Sequence, residues 1–341
     1  VALPLSRRWL SIGAALAVVL GGTGVSAVAT RSSIASAAQK TGVPRIIIDS
    51  DLSLWWDDAT AIGMANVLEQ RGKVHVLAVM SDIPNPVAVA AIDTFYGHPS
   101  IPLGAPADSE VNTAPRGYSN TLADSLPHKV RSSRDVPDAV PLYRRILAEQ
   151  PDHSVTIVAV GSYANLPSLL TSKAGDGSGL DGRELIAAKV KETVIEDGFF
   201  PNDGFPALTN QKLDPAAATE VVSGDWPTPI AWVDGTTGVA TKVGGALCAS
   251  APAKNPMRIV YEAKFGCGPP ADGDWDGPTL LYAVQGPGDL FTELGQDGSA
   301  YINAHGGLSW GTNPKRPGDV YVHVADQDAL NDEINSLLGA T

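Results

Sequence analysis

Short, unbroken apolar runs alternate along the chain with longer stretches whose apolar residues recur at helical spacing. The first run, RIIID at 45–49, predicts a buried strand, and DDATAIGMANVLEQ at 57–70 predicts a helix. Further strands are expected at 74–81, 154–161, 188–197, 228–233 and 319–325. Further helices are expected at 86–97, 139–150, 214–224 and 277–286, with a short one at ANLPSLL and a closing one at DQDALNDEINSLLG. Asp214 has the character of an N-cap and Pro215 of a first helical residue. Strands that read as continuous apolar runs are covered on both faces. The pattern predicts an α/β fold: an open, mostly parallel, Rossmann-like sheet with helices on both faces, in a single domain over 39–341. Residues 107–138 are polar and irregular and read as a surface excursion over the site.

The polar positions carry most information where strands end. Asp49 and Asp51 close the first run, and Asp57 and Asp58 open the helix behind it. Open α/β sheets place their ligands at that edge. Carboxylates gathered in one crevice repel unless a cation or protons intervene. An all-oxygen ligand set points to a hard ion, Ca²⁺ or Mg²⁺. Helix capping alone would account for Asp57 and Asp58. It does not account for Asp49 and Asp51 at the strand end. The segments SDIPN at 81–85, GSYAN at 161–165 and EDG at 196–198 also follow strands. Turn chemistry explains each singly, and a parallel sheet would bring all three to one rim with Asp51.

Charge and composition narrow the function classes. The 341 residues carry a net charge of −13, which argues against a nucleic-acid polymer as partner. Arg7 and Arg8 precede an apolar run, and small residues follow around Ala35, Ser36 and Ala37. Residues 1–38 therefore read as an export signal, by the twin-arginine or the general route. Gly21, Gly22 and Gly24 interrupt the run, so no membrane association is expected once the signal is removed. The expected location is secreted or periplasmic. Cys248 and Cys267 are the only cysteines, and in an exported chain the pair predicts a disulfide.

With these residues in view, the chain resembles the inosine-uridine-type nucleoside hydrolases. It is most similar to the branch whose opening motif is D-T-D-x5-D-D, which stands here as Asp49-Ser50-Asp51, five residues, then Asp57-Asp58. Weaker matches follow in family order: YGHPSIPLG at 96–104, VAVGSYANL at 158–166, NQKLDPAAA at 210–218, NPMRIVYE at 255–262 and GDWDGPTLLYAV at 273–284. The resemblance implies a single catalytic domain with Ca²⁺ at the strand ends, hydrolysing the N-glycosidic bond of a ribonucleoside or related N-glycoside. It implies that Asp51 is both a calcium ligand and the base that activates water. Asp58, Asp276 and the backbone carbonyl of Ala164 would complete the ligands. Asp57, Asn85 and Asn210 would bind the ribose hydroxyls, Asn202 the 5′-hydroxyl, and Trp275 would contact substrate. Asp49 would orient the ligands from behind. A small-molecule substrate and a homo-oligomer are the partners such a family implies.

The departures are specific. Leu208 and Thr209 stand where the family has a Glu and an aromatic, so the usual 5′-hydroxyl contact is missing. Trp275 occupies the place where other members carry a His that protonates the departing base, so no leaving-group acid is assigned. Trp55, Trp56, Phe199, Phe200 and Trp310 are further aromatics that stack on a ligand or pack in the core. The alternative reading is a non-catalytic calcium- or sugar-binding relative that has lost turnover. A phosphatase using Asp49 as nucleophile would need a downstream Lys and a later acidic pair. Lys189 and Lys191 fall in the expected strand at 188–197 rather than at a helix start.

Overall fold

The computed structural model describes residues 42–52, 55–106, 117–201, 204–312 and 318–341. The expected export signal, Asn202 and the first part of the 107–138 excursion lie outside the described residues.

The strands are β1 Arg45–Ser50, β2 His75–Ser81, β3 Leu103–Gly104, β4 Val155–Ala159, β5 Val190–Glu196 and β6 Ile230–Val233, followed by β7 Phe291–Leu294, β8 Ser299–Ile302, β9 Leu308–Gly311 and β10 Val320–Val324. Eight of them form one sheet in the order β3-β2-β1-β4-β5-β6-β10-β7. All its pairings are parallel except that of β7 with β10. β8 and β9 make a separate antiparallel hairpin.

Alternation along the strands explains why both faces are covered. Ile46 and Ile48 of β1 point into one apolar layer with Val158 and Val194, whereas Ile47 points into the other with Ile157 and Ile195. Helices Asp57–Gln70 and Asp276–Gln285 pack in the first layer, and Ala139–Ala148 and Gly182–Lys189 in the second. Fully burying an aliphatic side chain contributes roughly 1.5–3 kcal/mol, so these layers fix the register of β1 between β2 and β4. That register sets Asp49 opposite Met80 on one side and Ala159 on the other. The strand order reverses direction at β1 and β4, the switch point where such sheets form their ligand crevice.

Four features differ from the sequence expectation. The 107–138 segment is not wholly irregular: Gly117–Ser125 is a helix packed against Val87–Phe95 and Pro256–Phe265, with Leu122 buried in the core. Lys189 ends the helix Gly182–Lys189 rather than lying in β5. The capping pair Asp181 and Glu184 marks that helix start, and the apolar residues after it obscured the boundary. Short helices at Gly235–Ala240 and Pro256–Phe265 were also unanticipated. The antiparallel edge strand β7 is too short to show a period. The expected bridge is present: Cys248 and Cys267 are disulfide-bonded, tying Leu247–Ser250 to the end of Pro256–Phe265. Among the described residues no helix is long and apolar enough to cross a membrane.

Candidate active site

The site grows from two helix starts and three strand ends. Asp57 and Asp58 occupy the first turn of Asp57–Gln70, and Asp276 is the first residue of Asp276–Gln285. One carboxylate oxygen from each of the three lies within 4.8 Å of the others, and all three residues are buried. Two unit charges at that separation repel by about 3 kcal/mol at an effective dielectric of about 20. The helix N-termini offset part of this through their partial positive charge. The backbone N–H of Trp275 donates to Asp57 Oδ2 at 3.3 Å and joins the two helix starts.

Asp51 lies at the carboxyl end of β1, fully buried beside this cluster. Its backbone N–H and the Ser50 hydroxyl both donate to Asp58 Oδ1, at 3.1 Å and 2.5 Å. Among the described residues, neither carboxyl oxygen of Asp51 nor Oδ2 of Asp58 has a hydrogen-bond donor, and all three are buried. Such orphaned carboxylates are costly unless a proton or a cation satisfies them. Burial, and then the charge of Asp49, push Asp51 up to about 7. Burial and Asp274 push Asp57 up to about 8. Asp58 is held well above the carboxylate range by burial, then by Asp51 and Asp57. Asp276 is raised by burial, then by Asp57 and Asp58. The ligand set is all oxygen, buried and short of hydrogen-bond donors, which fits a hard divalent cation.

Behind the cluster, Asp49 is held by the Tyr143 hydroxyl at 2.5 Å and the Asn165 amide at 3.2 Å. Asn165 also donates to Asp82 Oδ1 at 2.9 Å, and Ser162 donates to Asp82 Oδ2 at 3.1 Å. Asp82, Tyr143 and Asn165 were not assigned from the sequence. A carboxyl directly after a strand is the signal that Asp82 shares with Asp51. On the other side, Tyr261 donates to Asp274 Oδ2 at 2.9 Å, and Asp274 Oδ1 accepts from the Gly277 backbone at 2.8 Å. That bond fixes the turn that presents Asp276.

In front of the cluster is a cleft of about 220 Å³. Asp57, Asp58 and Asp276 form one wall with Glu196 and Asn210 nearby, and Trp55, Phe199, Leu208 and Trp275 supply an apolar rim. Asn210 donates its amide to Glu196 Oε2 at 3.0 Å and to the Val160 carbonyl at 3.2 Å. Glu196, read from the sequence only as part of a turn, is thus a wall of the cleft. The aromatics divide: Trp55, Trp56, Phe199 and Trp275 line the cleft, whereas Phe200 packs in the second core layer with Trp232, Trp310 and Tyr321. Asn85 is half-buried in the loop after β2, with its N–H on the Ile83 carbonyl. Ala164 precedes the helix Asn165–Leu170, and its carbonyl accepts from Ser168 Oγ at 3.3 Å. Neither lines the cleft. Lys189 pairs with Asp152 and Lys191 with Glu192, so neither joins the acidic cluster.

No family model matches the chain, and no curated protein matches it. Solved structures do. The inosine-uridine preferring nucleoside hydrolase of Bacillus anthracis superposes with a TM-score of 0.65 at 16% identity, over 87% of this chain and 99% of that one. An inosine-guanosine nucleoside hydrolase gives 0.67 at 18%, over 87% and 99%. A plant nucleoside hydrolase gives 0.64 at 18%, over 88% and 100%. At these identities the likeness is one of fold, and the fold is that of the nucleoside hydrolases.

Proposed function

We propose that the protein is a calcium-dependent hydrolase that cleaves the N-glycosidic bond of a ribonucleoside or related N-glycoside. The observation that carries this reading is the gathering of Asp57, Asp58 and Asp276 within 4.8 Å, beside an Asp51 whose carboxyl oxygens have no donor. Asp51, Asp58 and Asp276 would hold the ion, with the Ala164 carbonyl as a further ligand. A bound Ca²⁺ supplies charge that lowers the pKa of a water and orients sugar hydroxyls.

The chain's own residues do the rest. Asp51 takes the proton as water attacks the anomeric carbon. Its raised pKa suits a base working near neutrality. Positive charge builds on the sugar as the C–N bond lengthens. The surrounding carboxylates stabilise that charge where it develops. Asp57 and Asn210 face the cleft and bind sugar hydroxyls; Asn85 and Asn202 are given the same task on the family resemblance alone. Asp49, fixed by Tyr143 and Asn165, keeps the end of β1 in place. Trp275 closes the rim, its indole N–H held by the Gly235 carbonyl at 3.0 Å. Export is part of the proposal, supported by the disulfide, a bond that persists in oxidising compartments.

One observation favours a second reading. Leu208 stands in the cleft wall, where it can accept no hydroxyl proton. A relative that binds calcium or sugar without turnover would share that feature. Incubation with a panel of purine and pyrimidine nucleosides, scored for free base and reducing sugar, separates the two. Release of both products in equal amounts supports the hydrolase. Calcium binding without release from any panel member supports the binding protein.

A further inference from the structure

We infer that Glu196 is the catalytic acid that protonates the departing base. The inference rests on the hydrolase reading above and adds the group that reading lacks. A glycosidic bond breaks with a base on one side for water and an acid on the other for the leaving group. The acid must face the cleft and have a proton to give.

The lining leaves one such group. Asp58 and Asp276 are given to the ion, and Asp57, gathered with them, accepts the Trp275 backbone N–H and is given to a sugar hydroxyl. The indole N–H of Trp275 is committed to the Gly235 carbonyl. Both amide protons of Asn210 are committed, to Glu196 and to Val160. Asp272 is paired with Lys264 at 3.5 Å. The Thr209 hydroxyl is far too weak an acid. Among the described residues no histidine lines the cleft. Glu196 remains.

Its position fits the task. Glu196 ends β5, two strands from β1, so it approaches the cleft away from the strand that carries Asp51. Asn210 fixes Oε2, which accepts and therefore needs no proton, and Oε1 has no partner among the described residues. The surroundings keep the acid form. Burial comes first and the neighbouring Asp197 next, and both hold the carboxyl above its usual range. In the step, the C1′–N bond breaks and its electron pair stays on the base, which takes the Glu196 proton at a ring nitrogen. The C1′–O bond forms from water, whose proton passes to Asp51. Solvent then returns a proton from Asp51 to Glu196, so the sum is nucleoside plus water to base plus ribose.

The test uses the calcium-loaded full chain and two substrates. One is inosine, whose base leaves poorly without protonation. The other is 4-nitrophenyl β-ribofuranoside, whose phenolate leaves unaided. Glu196→Gln keeps the hydrogen bond from Asn210 and removes the acid. It is expected to lower kcat for inosine by about 100-fold or more, and for the nitrophenyl riboside by less than about 5-fold. Glu196→Asp is expected to recover part of the inosine loss. Equal losses on both substrates, or no loss on inosine, overturn the assignment. A wild-type chain that cleaves neither substrate overturns the hydrolase reading, and the acid with it. An unchanged melting temperature for Glu196→Gln is part of the expected result.

Discussion

Asp51 is fully buried, and among the described residues neither carboxyl oxygen finds a donor. Nothing in the packing of the strand requires an acid there, and a buried unpaired carboxylate costs several kcal/mol. The cost is explained if an ion and a substrate water meet this group. Asp51→Ala should then lower kcat by well over 100-fold, because base and ligand are removed together. Initial rates of sugar release check this, and near-normal rates would refute the role. Asp276→Ala should leave the ion without one of its gathered carboxylates, and elemental analysis of the dialysed variant should find less than the wild-type calcium content. Residues of this kind were legible in the sequence because their spacing around a strand end is chemically unusual. Glu196 was not, because a Glu-Asp-Gly after a strand is also ordinary turn composition.

At the scale of elements, the site depends on close approach between chain segments. A Cβ built on Gly161 would sit 2.5 Å from the Asp51 backbone nitrogen and 2.5 Å from Asp82 Oδ2. The loop after β4 can therefore lie against the end of β1 only if that position has no side chain. Gly161→Ala should destabilise the protein by about 1–3 kcal/mol and cut activity with it, read as a lower urea midpoint and a slower rate. An unchanged midpoint would show that the two loops are not in register as described. Strands β1, β2, β4, β5, β6 and β10 were foreseen from apolar runs that tertiary burial preserves on both faces. β7, the β8–β9 hairpin and Gly235–Ala240 were not, since elements of four to six residues hold at most about two periods of their pattern, whereas Pro256–Phe265, at ten residues, was long enough to read and was missed.

Across the whole molecule, the sheet's switch point and the acidic cluster coincide, and this links stability to the ion. Without metal, Asp51 at about 7 and Asp57 at about 8 sit far above their unfolded values near 4. A carboxyl whose folded pKa is raised stabilises the fold below its unfolded pKa and loses that contribution as pH climbs through the folded one. The chelated protein should therefore melt at a higher temperature at pH 5 than at pH 8. Calcium should shrink or reverse that difference, because the ion replaces the protons. Thermal melts at both pH values, with and without chelator, check the sign. The opposite slope in the chelated protein would mean that the carboxylates are paired by something other than protons or an ion.

The most direct measurement is ribose release from inosine by chelated protein as calcium is added back. The account predicts no reducing sugar in the chelator, recovery that saturates at one ion per chain, and no recovery for Asp276→Ala. Release that is indifferent to chelation, or absent at every calcium concentration, would contradict it.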